Sequence, residues 1–193
     1  MGTPTTRVAG VVLAAGAGSR SGGPKALRHD DDGMPWSARA VGTLRAGGCA
    51  TVLVVLGAEA NAARQLVPPD AGIVVADDWA TGLSASLRAG LRAAPADATA
   101  ALITLGDLPG LPAAAVARLL TEPLDATTLR RASYGGQPGH PVVIGRDHWT
   151  AAAESAEGDR GAGRYLRKHG AEMIECSDLW DGADRDTPDT DHD

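Results

Sequence analysis

The sequence predicts an α/β fold, a single Rossmann-like three-layer α/β/α domain with a mostly parallel sheet. Short apolar runs alternate with helical segments along the 193 residues, which is typical of strands joined by crossover helices. The chain has no Phe, and Ala, Gly, Val and Leu dominate, so the core must be aliphatic. A glycine-rich loop directly follows the first strand, where open sheets of this type bind ligands.

Each element follows from its local pattern. Apolar runs predict strands at 8–14, 51–56, 72–76, 99–105, about 128–133, 140–144 and 171–176. Helical patterns predict helices at 36–47, 59–66, 83–93, 112–120, 147–155 and 161–168. Pro112 suits the first position of its helix, and Leu83, Leu87 and Leu91 form a stripe for burial.

Composition limits the classes of function. The net charge of −6 argues against a nucleic-acid partner, which requires a basic face. No apolar run is long enough to span a membrane, and residues 1–7 lack a secretory signal, so we expect a cytoplasmic protein without a membrane partner. Cys49 and Cys176 fit no metal spacing. We expect one domain over 1–193, with an acidic segment, 181–193, that is partly disordered.

The segment from Leu13 to Lys25 is the most informative part of the chain. Its glycines, at 16, 18, 22 and 23, allow tight turns and let backbone N–H groups approach an anion. Arg20 and Lys25 add positive charge, and the only other lysine is Lys168. This composition predicts a loop that holds a polyphosphate.

Two common phosphate-binding motifs do not match this loop. A P-loop read from Gly18 has Pro24 before Lys25, and Ala26 where a hydroxyl should bind magnesium. A dinucleotide fingerprint read from Gly16 has Ser21 at its sixth position, and no acidic residue ends a second strand about 20 residues later.

Asp107 follows the apolar run 101–105, and so lies at the carboxyl end of the fourth predicted strand. Mg²⁺ bound to a triphosphate typically takes one or two protein carboxylates, so Asp107 is a candidate metal ligand beside the loop. The alternative is a structural turn, because Asp-x-Pro is good turn chemistry.

The pattern LAAGxGxR-x-G-x-x-K resembles the signature of the MobA-like nucleotidyltransferases, except at Ser21, where that family usually has Met. Further segments resemble the family in the same order along the chain: Gly57, Gly82–Leu87, Gly106–Pro109, Gly139–Val142, Gly158–Ala162 and Asp184–Asp189. The resemblance implies attack of an acceptor oxygen on the α-phosphorus of an NTP, with release of pyrophosphate.

The resemblance also implies roles for individual residues. Arg20 would steady the triphosphate, Lys25 would neutralise charge on the α-phosphoryl oxygens, and Asp107 with Asp186 would hold Mg²⁺. The alternative for Asp186 is a solvated acidic tail. The nucleotide would be held by residues of the loop and of three later segments: Leu13, Ala14, Ala15, Gly16, Gly18, Ser19, Gly22, Gly57, Gly82 and Ser84.

The acceptor would contact Ser86, His140 and Arg160. Each of these segments also has a purely structural interpretation. In the segment of Ser86, Thr81 or Ser84 can simply cap a helix, and His140 can be a turn residue. In the segment of Arg160, Asp159 can be the N-cap of the following helix.

Within the family, LAAG resembles cytidylyltransferases of molybdenum cofactor maturation, so Ala15 points to CTP and molybdopterin. A molybdoenzyme or its maturation chaperone is then a candidate partner. One alternative is a guanylyltransferase or another nucleotidyltransferase that acts on phospholactate or a sugar phosphate. Another is a carrier module that binds a nucleotide or molybdenum cofactor without transfer.

Overall fold

The computed structural model describes residues 6–18 and 23–183. Within them, seven strands form one sheet in the order β3-β2-β1-β4-β6-β5-β7. The strands are β1 (Val8–Leu13), β2 (Thr51–Leu56), β3 (Gly72–Val75), β4 (Ala100–Leu105), β5 (Leu129–Tyr134), β6 (Gln137–Gly145) and β7 (Glu172–Glu175). The helices are α1 (Trp36–Ala46), α2 (Ala60–Ala63), α3 (Leu83–Ala93), α4 (Ala113–Leu119), α5 (Trp149–Ser155) and α6 (Gly163–Lys168).

The sheet is mostly parallel, as predicted. β1 pairs in parallel with β2 and β4, whereas β6 runs antiparallel to both of its neighbours, β4 and β5. β5 and β6 form a hairpin through Gly135 and Gly136, which both have positive φ angles. The antiparallel strand therefore arises from a tight turn, which cannot connect two parallel strands.

Two aliphatic cores cover the two faces of the sheet. On one face, α1 and α4 pack through Leu44, Val116 and Leu119. On the other face, α3, α5 and α6 pack through Leu87, Leu91, Ala152 and Leu166. This arrangement is the predicted three-layer α/β/α architecture.

The predicted element boundaries differ from the structure in a few places. The helix expected at 59–66 divides into α2 and a 3-10 turn, Arg64–Leu66. The helix expected at 147–155 likewise begins as a 3-10 turn, and α6 begins at Gly163 rather than at 161. Pro112 lies one residue before α4, as its N-cap, with an extended backbone. Leu87 and Leu91 are buried as predicted, and Leu83 is half-buried. No helix in the described part of the chain is both long and apolar enough to cross a membrane.

Candidate functional site

The carboxyl ends of β1, β2 and β4 are joined by backbone hydrogen bonds that fix the start of the glycine-rich loop. The Ala14 N–H donates to the Val55 carbonyl, and the Ala58 N–H donates to the Ala15 carbonyl, each over 2.9 Å. The Gly106 N–H donates to the Leu13 carbonyl, also over 2.9 Å. The loop after β1 therefore starts from a rigid platform.

Glycines are required at this platform because the chain segments approach closely. A Cβ on Gly57 would lie 2.6 Å from the Ala15 carbonyl oxygen and 2.5 Å from Trp79. A Cβ on Gly106 would lie 2.8 Å from the Ala14 Cβ. Gly57 therefore positions the loop through packing, whereas nucleotide contact by Gly57 stays a prediction.

The described ends of the loop lie close together. Gly18 has a φ of 60°, in the left-handed region that favours glycine, and its carbonyl accepts a hydrogen bond from the Gly23 N–H over 3.1 Å. Gly16 is exposed, with open space where a Cβ would be. Ser19, Arg20 and Gly22, which we predicted to contact the nucleotide, lie outside the described residues, as do Ser21 and Asp186.

Lys25 and Asp107 meet at the end of this loop. The Lys25 ammonium donates a hydrogen bond to Oδ2 of Asp107 and forms an ion pair with it. The Asp107 side chain is 7% exposed and the Lys25 side chain 24% exposed. The loop after β1 and the turn after β4 thus bring a cation and a buried carboxylate together, as their positions at the sheet edge predicted.

The described residues offer a divalent cation few ligands of their own. No group of three or more His, Cys, Asp or Glu side chains within 6–18 and 23–183 could hold a metal ion. A protein site for Mg²⁺ commonly uses one or two carboxylates and takes its remaining ligands from phosphates and water. Asp107 is a nearly buried carboxylate beside the glycine-rich loop. It can therefore serve as the one protein carboxylate of a cation that is bound to a nucleotide.

The N-terminus of α3 is covered by another segment of the chain. Gly82 has a φ of 110°, and a Cβ there would lie 2.4 Å from the Gly158 carbonyl carbon. The Ser84 N–H donates to the Gly158 carbonyl over 2.9 Å, and the Ser84 side chain is buried. The amide of Ser84 is therefore already engaged, and the proposed nucleotide contacts of Gly82 and Ser84 stay predictions.

A cavity of about 150 Å³ lies between the sheet and helices α3 and α6. Its walls are mainly aliphatic, and the two polar side chains among them are Arg131 and His140. The lining residues are Leu13, Leu83, Leu87, Ile103, Arg131, His140, Val142, Gly161, Ala162, Gly163 and Leu166. Of the three predicted acceptor residues, His140 lines this cavity. Ser86 is buried within α3 and Arg160 is exposed, and neither lines it.

The environment of His140 keeps its ring neutral. Burial and the positive charge of Arg131 lower the pKa of His140 to about 4, and the negative charge of Asp107 partly opposes this shift. The Tyr134 hydroxyl donates to the His140 carbonyl over 2.7 Å, which ties this residue to β5. The ring is thus a neutral donor and acceptor in the cavity wall.

Arg131 is the functional candidate that sequence reasoning missed. It lies in β5 beside Arg130, and only the fold separates the two: Arg130 forms an ion pair with Glu172, while Arg131 lines the cavity. The signal in the sequence was an arginine within a strand that lies next to the Gly139–Val142 segment. That signal alone does not indicate which of the two arginines faces the cavity.

A glycine-rich loop, a lysine–aspartate pair and an adjoining cavity lie at one edge of the sheet, which is where α/β proteins of this class bind their ligands. Residues 10–173 match the model of the MobA-like NTP transferase domain, and the chain belongs to this family.

The chain is similar to a protein named as an oxidoreductase and to solved structures of two mycobacterial proteins. The chain is 39% identical to nicotine blue oxidoreductase from Paenarthrobacter nicotinovorans over 197 residues, which cover 93% of this chain and 92% of that protein. It is 32% identical to the Rv0371c homologue from Mycobacterium sp. strain JC1, with a TM-score of 0.80 and coverage of 94% and 91%. For Rv0371c of Mycobacterium tuberculosis the identity is 28%, the TM-score 0.76 and the coverage 89% and 88%. Rv0371c has also been crystallised in complex with manganese.

Proposed function

We propose that this protein is a divalent-metal-dependent nucleotidyltransferase that transfers a nucleoside monophosphate from an NTP to a phosphorylated small molecule. Membership of the MobA-like family supports the class of reaction. The observation that carries the proposal is the pairing of Lys25 with the buried Asp107 at the end of the glycine-rich loop. CTP and molybdopterin remain the substrates that the LAAG sequence favours.

In this reaction an acceptor phosphate oxygen attacks the α-phosphorus of the NTP. A new P–O bond forms, the bond from the α-phosphorus to the bridging oxygen breaks, and pyrophosphate leaves with that electron pair. Catalysis of phosphoryl-type transfer depends mainly on positioning and charge stabilisation. We therefore propose that the loop amides bind the triphosphate. The Lys25 ammonium neutralises the negative charge that develops on the α-phosphoryl oxygens.

A divalent cation held by Asp107 would supply charge neutralisation at the phosphates. Mg²⁺ is the cation we expect, and the manganese complex of Rv0371c supports a divalent cation of this kind. Lys25 would then exchange its carboxylate partner for a phosphate oxygen when the nucleotide binds. Asp107 thus prepares the lysine in the absence of nucleotide and holds the metal in its presence.

A second candidate is an oxidoreductase, because the 39% identical relative carries the name nicotine blue oxidoreductase. Although the loop lacks the dinucleotide fingerprint, its backbone amides could hold the pyrophosphate of a reduced nicotinamide dinucleotide, which would act as the electron donor. In that case the metal and Lys25 would not be needed for charge on an α-phosphorus.

One pair of assays separates these candidates. Pyrophosphate release is measured with CTP, GTP, ATP and UTP, each with molybdopterin and either Mg²⁺ or Mn²⁺, against controls without acceptor or without metal. Loss of nicotine blue absorbance is measured in parallel with NADH or NADPH and no NTP. Acceptor- and metal-dependent pyrophosphate release supports the transferase. Bleaching of the dye without such release overturns it in favour of the oxidoreductase, and nucleotide binding without either reaction favours the carrier module.

A further inference from the structure

The cavity beside the candidate site has the size of a single ring. Its volume is about 150 Å³, and Leu83, Leu87, Ile103 and Leu166 contribute aliphatic walls. An aliphatic cavity of about 150 Å³ is known to accommodate a molecule of the size of benzene. A ligand with three fused rings could therefore place only part of its skeleton here.

Arg131 gives this cavity a positive charge. No carboxylate forms an ion pair with it anywhere in residues 6–18 and 23–183. Its Nε donates to the Gly139 carbonyl over 3.1 Å, which fixes the guanidinium and leaves the terminal nitrogens for another acceptor. Burial and the nearby charge of Arg167 lower the pKa of Arg131, because both disfavour its charged form.

A partly buried cation without a counter-charge is costly, and an anionic ligand would remove that cost. The guanidinium matches the geometry of a carboxylate or a phosphate, to which it can donate two parallel hydrogen bonds. His140 adds a ring with no recorded hydrogen-bond partner among the described residues. The two polar side chains thus lie at one wall of an otherwise apolar space.

We propose that this cavity, which we call the ring pocket, binds a single carbon ring bearing an anionic oxygen, with Arg131 as the residue that selects the anion. The pocket adjoins the start of the glycine-rich loop, because its wall includes Leu13, the last residue of β1. Its role as the site of the acceptor rests on the proposed function, whereas its preference for a ring-bearing anion does not. The anion can be a carboxylate or a phosphate.

The test measures binding alone, without nucleotide or metal. Dissociation constants for benzoate, phenyl phosphate and benzyl alcohol are determined by NMR titration of the whole protein. These probes share one ring and differ in the charge of the group that meets Arg131. We expect benzoate or phenyl phosphate to bind about tenfold more tightly than benzyl alcohol, since charge-assisted hydrogen bonds are the stronger ones. The anion with the lower dissociation constant shows whether the pocket prefers a carboxylate or a phosphate.

Four variants locate the binding. Arg131→Gln should weaken binding of the anions about tenfold and leave benzyl alcohol unchanged, and Arg131→Lys should give an intermediate loss. Arg167→Gln is the matched control, because it removes an exposed positive charge near Arg131, and it should change the constants less than about twofold. Leu83→Phe should weaken all three probes by filling the pocket.

Benzyl alcohol binding as tightly as both benzoate and phenyl phosphate would overturn the proposal. So would anion binding that Arg131→Gln and Arg131→Lys leave unchanged, or that Leu83→Phe leaves unchanged. Because no step of this test requires nucleotide transfer, absence of pyrophosphate release in the earlier assay would refute nucleotide transfer to molybdopterin without affecting the ring pocket.

Discussion

Lys25 and Arg131 are two cations near one edge of the sheet, and they differ in their partners. Lys25, beyond β1, pairs with the buried carboxylate of Asp107. Arg131, on β5, forms no ion pair within the described part of the chain, and it lines a mainly apolar cavity. In the sheet, β4 and β6 separate β1 from β5.

If both proposals hold, this difference lets one edge of the sheet serve two ligands. A cation that already has a carboxylate partner is positioned before the ligand arrives, and the carboxylate stays available for a metal. A cation without such a partner gains its counter-charge only when a ligand binds. We therefore expect substitutions near Lys25 to affect catalysis most, and substitutions near Arg131 to affect the choice of second substrate.

The largest effect should come from Asp107→Asn, which removes the carboxylate and nearly preserves its shape. We expect metal-dependent pyrophosphate release to fall by about 1,000-fold, because charge stabilisation is the main contribution to this kind of catalysis. Asp178→Asn is the matched control, since Asp178 forms an exposed pair with Arg118, and its activity should be unchanged. Loss of the folded state in Asp107→Asn would instead assign Asp107 to a structural turn.

Lys25→Ala should lower turnover by about 100-fold, because the charge that develops on the α-phosphoryl oxygens loses its partner. Lys168→Ala is the matched control, because Lys168, the other lysine, is exposed. This variant should leave turnover unchanged. The measurement is kcat for pyrophosphate release at saturating NTP and metal. Equal turnover of Lys25→Ala and the unmodified protein would exclude Lys25 from the mechanism.

His140 should make stability depend on pH. Its pKa is about 4 in the folded state, where it faces Arg131 and Asp107, and about 6.5 when unfolded. The unfolded chain binds the proton more readily, so the contribution of His140 to stability is complete above pH ~6.5 and is lost as the pH falls towards 4.

The free energy of unfolding in urea, measured at pH 7 and pH 4.5, checks this dependence. In His140→Gln, the free energy of unfolding should fall less between pH 7 and pH 4.5 than in the unmodified protein, by at most about 3 kcal/mol. Parallel pH profiles for the two proteins would show that the surroundings of His140 do not disfavour its charged form.

The smallest effect should come from packing at the start of α3. Gly82→Ala places a Cβ 2.4 Å from the Gly158 backbone at a positive φ, so we expect a loss of about 2 kcal/mol in the free energy of unfolding. Gly42→Ala in α1 has open space at the Cβ position and should instead gain up to about 1 kcal/mol. Urea titration of both variants makes the comparison, and equal stabilities would contradict the close contact.

The secondary-structure elements and the meeting of the glycine-rich loop with Asp107 could be predicted from the sequence, because their signals are local. Apolar runs marked each strand, and Lys25 and Asp107 follow β1 and β4, whose carboxyl ends lie at one edge of the sheet. The ring pocket could not be predicted, because β5 and α6 build it from residues about 30 positions apart in sequence, Arg131 and Gly161–Gly163. The orientation of β6 also depends on a hairpin rather than on composition.

The central claim is that the glycine-rich loop and Asp107 form a metal-dependent nucleotide site, and thermal unfolding tests it most directly. The protein and Asp107→Asn are heated with CTP, GTP, ATP or UTP, each with and without Mg²⁺ or Mn²⁺. We predict that at least one NTP raises the unfolding temperature only with a divalent cation, since a ligand at about 100 times its Kd adds ~2.7 kcal/mol of stability. We also predict that Asp107→Asn loses this response. No response to any NTP, or an equal response in Asp107→Asn, would contradict the claim.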